Sequence, residues 1–108
     1  MSNELVVLVT APDMEQARRI ATQLVSGRLA ACVNLVPTIE SIYTWNDQTE
    51  VSAETLLIIK TTEARYDELE ARIKALHQYA IPEIVAFRIE RGLAPYLNWL
   101  RDSTSSGT

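Results

Sequence analysis

The chain is poor in the residues that most often mark a functional site or an unusual fold. Its 108 residues include one cysteine, one histidine, three glycines and four prolines. A single cysteine excludes an intrachain disulfide and is typical of a reducing environment, so we expect a cytoplasmic protein. The low glycine and proline content excludes a fibrous class and argues against a disordered one.

Long apolar runs and clusters of positive charge are also missing. No apolar run approaches the roughly 20 residues of a membrane-spanning helix, and the N-terminal segment lacks the basic start and cleavage site of a signal peptide. The chain has 10 basic and 14 acidic residues, a formal net charge of -4. Nucleic-acid-binding proteins normally carry a basic surface, so we expect neither nucleic acid nor a membrane as a partner.

The composition suits one compact domain spanning residues 1–108, because hydrophobic residues make up 47% of the chain. Hydrophobic periodicity predicts the order strand, helix, two strands, helix, strand and a short terminal helix. The polar stretch WNDQTE joins the second and third strands as a hairpin, and Pro37 predicts a bulge or a bend. We expect the small polar tail, residues 103–108, to fray. This order predicts a ferredoxin-like α+β fold, a split βαβ antiparallel sheet with helices on one face.

The first predicted helix, in DMEQARRIATQLVSG, carries its own boundary signals. Asp13 is a favourable N-cap residue, and Gln16 stands three residues later in the position of a capping-box partner. Gly27 marks the end of the helix.

The predicted strands are apolar on both sides, although helices on one face would cover only one of them. In ELVVLVTAP, Leu5, Val7 and Val9 alternate with Val6 and Leu8, and LLII and EIVAF show the same pattern. Burying each aliphatic side chain is worth roughly 1.5–3 kcal/mol, and an exposed second face would be a large apolar patch. We therefore expect other copies of the chain to cover this face.

Motifs of the common enzyme classes are missing. No serine lies in a G-x-S-x-G context, and the first strand–helix turn, TAPDMEQA, has no glycine-rich phosphate-binding loop. Cys32 and His77 form a conceivable nucleophile–base pair. However, LAACVNLV is typical of a buried strand, in which a cysteine packs as a small apolar residue. We therefore predict a protein without enzymatic activity.

The segment ALHQYAIPEIVAF, residues 75–87, holds the only histidine and joins a predicted helix to a predicted strand. Pro82 favours an extended residue before it, which marks the junction. His77, alone or with Glu83, is a candidate ligand for a divalent ion because imidazole suits copper and zinc. The alternative is structural, since a histidine near a helix C-terminus satisfies the last carbonyl groups.

Three further residues have both a structural and a functional interpretation. Tyr43 and Trp45 lie two residues apart and so share one side of a strand. They either pack across a subunit contact, where aromatic residues are enriched, or line a small-molecule pocket. Lys60 ends an aliphatic strand, either as a solvated charge or as an anion contact.

Five pieces of the chain resemble the CutA family of divalent-cation-tolerance proteins: LAACVNLVP, SIYTW, LLIIKTT, ALHQYAIPEIVAF and YLNWL. The resemblance extends from Glu4 to about Asp102. It implies a ferredoxin-like homotrimer, similar to PII signalling proteins, in which long hairpins between the second and third strands clasp neighbouring subunits. It also implies tolerance to copper and other divalent ions, small-molecule clefts between subunits, and no enzymatic activity.

The resemblance places the His77 segment beside a cleft between subunits. It implies a ligand-binding cleft formed by eight residues: Cys32, Asn34, Tyr43, Trp45, Lys60, His77, Tyr79 and Glu83. Such a mixture of charged, amide, imidazole and aromatic groups suits a small polar molecule better than a bare ion.

The chain departs from the family pattern at several positions, among them Asp47, Gln78 and Ala80. Metal-binding members can carry a cysteine and a second histidine where this chain has Val9 and Leu76. Only His77 then remains as a candidate metal ligand.

The sequence thus predicts a cytoplasmic homotrimer that binds a small molecule or ion at clefts between subunits. Its role would be the response to divalent metal ions, through PII-like signalling or as a carrier. The alternative is a protein that sequesters copper or another divalent metal with His77 as a ligand. Beyond such a cation, we expect no cofactor.

Overall fold

The computed structural model describes residues 3–105 of the chain. Seven elements follow one another in this part, in the predicted order: β1 (Glu4–Ala11), α1 (Met14–Ser26), β2 (Cys32–Trp45), β3 (Gln48–Thr62), α2 (Glu63–Leu76), β4 (Ile84–Arg88) and α3 (Ala94–Ser103). The four strands form one antiparallel sheet in the order β2-β3-β1-β4. The predicted ferredoxin-like α+β fold is therefore confirmed.

The boundaries of α1 follow the local chemistry of its ends. The Asp13 side chain caps the helix, because its Oδ1 accepts a hydrogen bond from the Gln16 amide at 2.8 Å. Gln16 is not a capping-box partner, since its own Oε1 is buried and accepts from the Gln78 amide at 2.9 Å instead. Gly27 ends the helix with a right-handed φ of -86°, and Arg28 takes the left-handed φ of 60°.

The hairpin between β2 and β3 is longer than the sheet that carries it. The last β3 partner of β1 is Thr55, so residues 39–54 project beyond the sheet as a hairpin arm. Two residues form its tip, Asn46 and Asp47, with φ values of 51° and 61° that these side chains tolerate. The predicted bulge near Pro37 is confirmed by a register shift between Val36 and Ile39.

The core lies between the sheet and the helices α1 and α2. Alternation along β1 points Leu5, Val7 and Val9 toward these helices, and all three are at most 7% exposed. Burying each of these aliphatic side chains is worth roughly 1.5–3 kcal/mol. The helices contribute the opposing side chains Ala17, Ile20, Leu24, Leu69 and Ile73.

The other face of the sheet, here called the open face, is apolar as predicted. Strand pairing places Val6 beside Phe87, and Leu8 beside both Val85 and Ile58. Val85 and Phe87 remain 44% and 57% exposed. The open face consists of Val6, Leu8, Val36, Leu56, Ile58, Val85 and Phe87.

Helix α3 lies at one end of the open face. It packs against β1 and β3 and buries Leu100 completely. Arg101 Nη1 lies 2.6 Å from Oε2 of Glu4, whose side chain alternates with Leu5 and so points away from the core. The prediction of helices on one face therefore holds for α1 and α2, while α3 occupies the other side.

The C-terminal tail begins later than predicted. Ser103 is the last residue of α3, and the buried Thr104 Oγ1 donates to the Leu100 carbonyl at 3.0 Å. The Ser105 carbonyl accepts from Arg28 Nε at 3.0 Å. These contacts join residues 103–105 to the rest of the chain, and residues 106–108 lie outside the described part. Fraying of the tail, residues 103–108, stays a prediction.

Candidate functional site

A groove of about 580 Å³ opens where the hairpin arm leaves the sheet. The arm contributes the rings of Tyr43 and Trp45, and the turn after α2 contributes the opposite side. The Tyr43 hydroxyl lies 2.8 Å from Ser52 Oγ across the arm, which fixes the ring. The groove is lined by Tyr43, Trp45, Glu54, Tyr79, Ala80 and Ile81. It is therefore mostly apolar, with one carboxylate among its lining residues.

Tyr79 and Glu54 are joined by a short hydrogen bond in this groove. The Tyr79 hydroxyl donates to Glu54 Oε2 at 2.7 Å, and Glu54 is only 9% exposed. Burial raises the pKa of Tyr79 from 10.0 to about 12, together with this hydrogen bond and the negative charge of Glu54. The phenol is therefore a fixed neutral donor at physiological pH, and the buried carboxylate has its partner.

We expect Tyr79 to ionise near pH 12, with Glu54→Gln moving the pKa back toward 10. Because the folded-state pKa lies above the unfolded value, its contribution to stability is complete below pH 10 and is lost as pH rises toward 12. NMR titration of ¹³C-labelled tyrosines measures this, with the signal assigned by Tyr79→Phe. Glu70→Gln is the matched control, because Glu70 instead accepts from the Tyr66 hydroxyl.

That control must leave the Tyr79 titration unchanged while it lowers the raised pKa of Tyr66, to which burial and Glu70 contribute. A Tyr79 signal that titrates near 10 in both the original protein and Glu54→Gln contradicts the proposed interaction.

His77 fastens the turn after α2 to β1. Its ring Nε2 lies 2.7 Å from the Thr10 carbonyl oxygen, and its Nδ1 lies 3.0 Å from the Tyr79 amide nitrogen. A carbonyl only accepts and an amide N–H only donates, so the imidazole hydrogen is on Nε2 and Nδ1 is the acceptor. His77 is 8% exposed and thus has a structural role, although its partner is a strand carbonyl rather than the end of the helix.

Within residues 3–105 of one chain, the candidate ligands of the His77 segment are not arranged around a common point for a divalent cation. Neither nitrogen of His77 has a lone pair left for a metal while these two hydrogen bonds are made. Among residues 3–105, no three His, Cys, Asp or Glu side chains come together. Glu83, the other candidate ligand from this segment, is exposed just before β4.

Seven of the eight predicted cleft residues fall into two groups in a single chain, and the exposed Glu83 belongs to neither. Tyr43, Trp45 and Tyr79 line the groove beside His77, and with Glu54 they form what we call the Tyr79 cluster. The Lys60 cluster consists of Cys32, Asn34 and Lys60, in which Lys60 Nζ donates to Asn34 Oδ1. Lys60 and Glu54 lie six residues apart on β3, roughly 20 Å along the strand.

The Lys60 cluster lies beside α3 rather than beside His77. Cys32 is half-buried and pairs across the strands with Lys60, so no catalytic contact joins Cys32 to His77 within one chain. The Tyr96 phenol of α3 is close enough to Cys32 for the thiol to contribute to its raised pKa, after burial. We predicted that the His77 segment faces the Lys60 cluster across one cleft. That arrangement therefore requires a second copy of the chain.

Sequence reasoning missed Glu54, Ala80 and Ile81 as groove residues. Glu54 stands in the strand stretch ETLLIIKT and shares the open-face side of β3 with Leu56 and Ile58. A carboxylate in an otherwise apolar row was the available signal, since such a group needs a buried partner. Ile81 is 90% exposed and gave no signal beyond being apolar in a turn.

A sequence profile of known proteins agrees with this architecture. The family described as CutA1 divalent ion tolerance protein matches residues 5–103. The chain belongs to the CutA family. The divalent-cation tolerance protein CutA of Thermus thermophilus is 52% identical over 101 residues, which cover 94% of this chain and 98% of that relative. Its solved structure gives a TM-score of 0.93 at 51% identity, over 94% of this chain and 99% of that one.

Other CutA relatives differ in length and in cellular location. Protein CutA 1 of Oryza sativa, named chloroplastic, is 48% identical over 93% of this chain, which spans only 56% of that relative. The CutA structure from Archaeoglobus fulgidus, named periplasmic, has a TM-score of 0.91 at 38% identity, over 94% of this chain and 99% of that one. Because these relatives are named chloroplastic and periplasmic, the prediction of a cytoplasmic location is wrong. No helix within residues 3–105 is long and apolar enough to cross a membrane.

The departures of this chain from the CutA pattern have identifiable structural outcomes. Asp47 adopts the left-handed φ of 61° at the arm tip, so the two-residue turn forms without a glycine. The Gln78 side chain is exposed, while its backbone amide binds Gln16. Ala80 lines the groove together with Tyr79 and Ile81.

Proposed function

We propose that this CutA-family protein is a homotrimer that binds a small molecule at clefts between subunits. In this proposal the protein takes part in the response to divalent metal ions. It either signals the presence of the bound molecule, as PII-like proteins do, or carries that molecule. The observation that carries it is the apolar open face, on which Val85 and Phe87 remain about half exposed in one chain.

The size of the exposed apolar surface supports assembly. The hairpin arm adds exposed apolar side chains on its other side, where Ile42 and Val51 are 65% and 58% exposed. Apolar surfaces of this extent normally mark a contact with another protein. The arm projects beyond the sheet and so can reach a neighbouring subunit, consistent with the 47 Å long axis of the molecule.

The separation of the two clusters is compatible with a head-to-tail ring. The Tyr79 and Lys60 clusters lie roughly 20 Å apart along β3. A two-fold axis joins the same surface patch on both copies, whereas a ring joins different patches head to tail. A ring therefore allows the Lys60 cluster of one subunit to meet the Tyr79 cluster of the next, which completes one cleft at each contact.

The chemistry of such a cleft suits a small polar molecule with an aromatic or apolar part. Lys60 supplies a cation and Asn34 an amide, while Tyr43 and Trp45 supply ring surfaces. A bare divalent ion fits less well, because both nitrogens of His77 are already engaged. We propose binding without chemical conversion, since Cys32 lies outside the groove and pairs across the strands with Lys60 rather than contacting His77.

The test is a search for the bound molecule. The protein is incubated with a small-molecule extract of cells and freed of unbound material, and retained compounds are identified by mass spectrometry. Trp45→Ala is expected to reduce retention at least about tenfold, because an aromatic contact of roughly 1.5 kcal/mol or more is removed. Trp99→Ala is the matched control, since Trp99 on α3 is 47% exposed and lies outside the groove.

Two results would contradict this proposal. The first is a trimer that retains no compound from any extract. The second is retention that survives in Trp45→Ala at the level of the original protein and of Trp99→Ala.

A further inference from the structure

The groove of the Tyr79 cluster brings three aromatic rings and one carboxylate together. Strand pairing places Tyr43, Trp45 and Glu54 on the same side of the hairpin arm. The Tyr79 ring approaches from the turn after α2, with its hydroxyl 2.7 Å from Glu54 Oε2. The Tyr43 hydroxyl lies 2.8 Å from Ser52 Oγ, and Ser52 is the neighbour of Glu54 on this side of β3, roughly 7 Å away. The rings and the carboxylate therefore line one space.

Glu54 presents one oxygen to the groove without a described partner. The residue is 9% exposed and lines the groove. Its Oε2 accepts from the Tyr79 hydroxyl, and no hydrogen bond to its Oε1 is described within residues 3–105. Oε1 is also not one of the fully enclosed oxygens without a partner in this part of the chain, so it reaches the groove surface. A nearly buried carboxylate oxygen normally has a partner, and a cationic group in the groove would supply one.

The charge around the groove is negative. Glu50 is exposed opposite Tyr43, on the same side of the arm. The charge of Asp13 contributes to the raised pKa of Tyr79, after burial and Glu54, and therefore lies nearby. Within residues 3–105, no lysine or arginine lines this groove. The faces of aromatic rings also carry negative potential, so the groove favours a cation over an anion.

The lining of the groove decides which kind of cation fits. A metal ion or a primary ammonium group needs several oxygen acceptors, whereas Glu54 Oε1 is a single one. Ala80 and Ile81 add apolar surface beside the rings, and Ile81 is 90% exposed. An ammonium group that carries methyl groups needs at most one acceptor, and its methyl groups contact rings and apolar side chains.

We infer that the groove of the Tyr79 cluster binds a methylated ammonium group of the trimethylammonium class. The cation lies against the rings of Tyr43, Trp45 and Tyr79, beside Glu54 Oε1. This inference rests on the proposed function, because it names the group that the ligand of the subunit cleft places in this groove. In the proposed ring, Lys60 of the next subunit supplies a cation to the same cleft. We therefore expect the other end of the ligand to be neutral or anionic.

Two pairs of probes test the requirement for positive charge. Choline and phosphocholine carry the trimethylammonium group, while 3,3-dimethylbutan-1-ol and its phosphate ester have the same shape with carbon in place of nitrogen. NMR titration of the full-length protein is expected to show at least one ammonium probe binding about tenfold or more tightly than its isostere, with shifts at the Trp45 indole. Equal binding within both pairs, or no binding of either ammonium probe, overturns the inference.

Two variants and a matched control locate the cation. Glu54→Gln keeps an acceptor for the Tyr79 hydroxyl but removes the charge, and Trp45→Leu removes a ring but keeps apolar bulk. Each is expected to weaken binding of the ammonium probe about tenfold while the isostere changes much less. Glu40→Gln is expected to change neither, because Glu40 is exposed on the other side of the arm.

Trp45→Leu keeps the inference testable if Glu54→Gln fails to fold, because Trp45 is 65% exposed. An unchanged preference for the ammonium probe in Trp45→Leu overturns the inference. Failure of this inference is distinct from failure of the proposed function. A protein that retains an extract compound through Trp45 but binds neither ammonium probe keeps the proposed function and overturns the inference. A single chain that binds the probes with the expected preference supports the ammonium site and contradicts the clefts between subunits.

Discussion

Val85→Glu is expected to convert the assembled protein into single chains. Val85 lies on the open face beside Leu8 and is 44% exposed in one chain. In the proposed trimer this side chain is buried at a contact between subunits. Its loss removes roughly 1.5–3 kcal/mol of apolar burial per copy. The buried carboxylate that replaces it has no partner, which adds a larger penalty. The measurement is the mass in solution by sedimentation velocity.

A matched substitution separates the open face from exposed apolar residues in general. Val25 on α1 is 43% exposed, almost the same as Val85, but it lies on the helical side of the molecule. Val25→Glu is expected to leave the assembly intact at every concentration at which the original protein is assembled. Dissociation of both variants, or of neither, would contradict the assignment of the open face as the subunit contact.

His77→Ala is expected to lower the free energy of unfolding by about 2–4 kcal/mol. The substitution leaves the buried Thr10 carbonyl and the partly buried Tyr79 amide without these partners. Each such group costs roughly 1–3 kcal/mol when it is left unpaired. The measurement is urea unfolding at one fixed protein concentration, because the stability of an assembly depends on concentration. The Tyr79 ring is also expected to move, since His77 holds its backbone.

The control for this prediction is Gln78→Ala, one residue along the chain. The Gln78 side chain is exposed and makes no described hydrogen bond, so the change in unfolding free energy is expected to be within about 0.5 kcal/mol. Copper titration of the same variants provides the second readout. A stoichiometric copper site lost in His77→Ala, with stability unchanged, would show that His77 is a metal ligand rather than a structural residue.

Local chemistry explains which parts of the fold were predictable. The Asp13 cap and the bulge after Val36 depend on a few neighbouring residues, and both were correct. The doubly apolar strands were visible because alternation along a strand is a local property. The hairpin was predicted from its polar turn, but residues 48–53 pair as strand because the two sides of the arm support each other.

The parts that could not be predicted depend on register and on packing between distant elements. The separation of Lys60 from Tyr79 follows from the packing of the turn after α2 against Thr10 and Glu54, which the composition of no single element specifies. The burial of Glu4 follows from Arg101, a residue 97 positions later in the chain. A glutamate at the start of an apolar strand is normally a solvated strand end, so sequence reasoning gave it no role. Helical periodicity likewise assigns α3 as a helix without stating which face of the sheet it covers.

The mass of the unmodified protein at nanomolar concentration decides whether copies of the chain cover the open face. We expect one species with three times the 12.1 kDa of the chain, because the apolar area on the open face and arm favours association even at high dilution. A folded, soluble species of 12.1 kDa under these conditions would contradict the proposed assembly. Val85 and Phe87 would then face water in the native protein, and the proposed clefts between subunits would not exist.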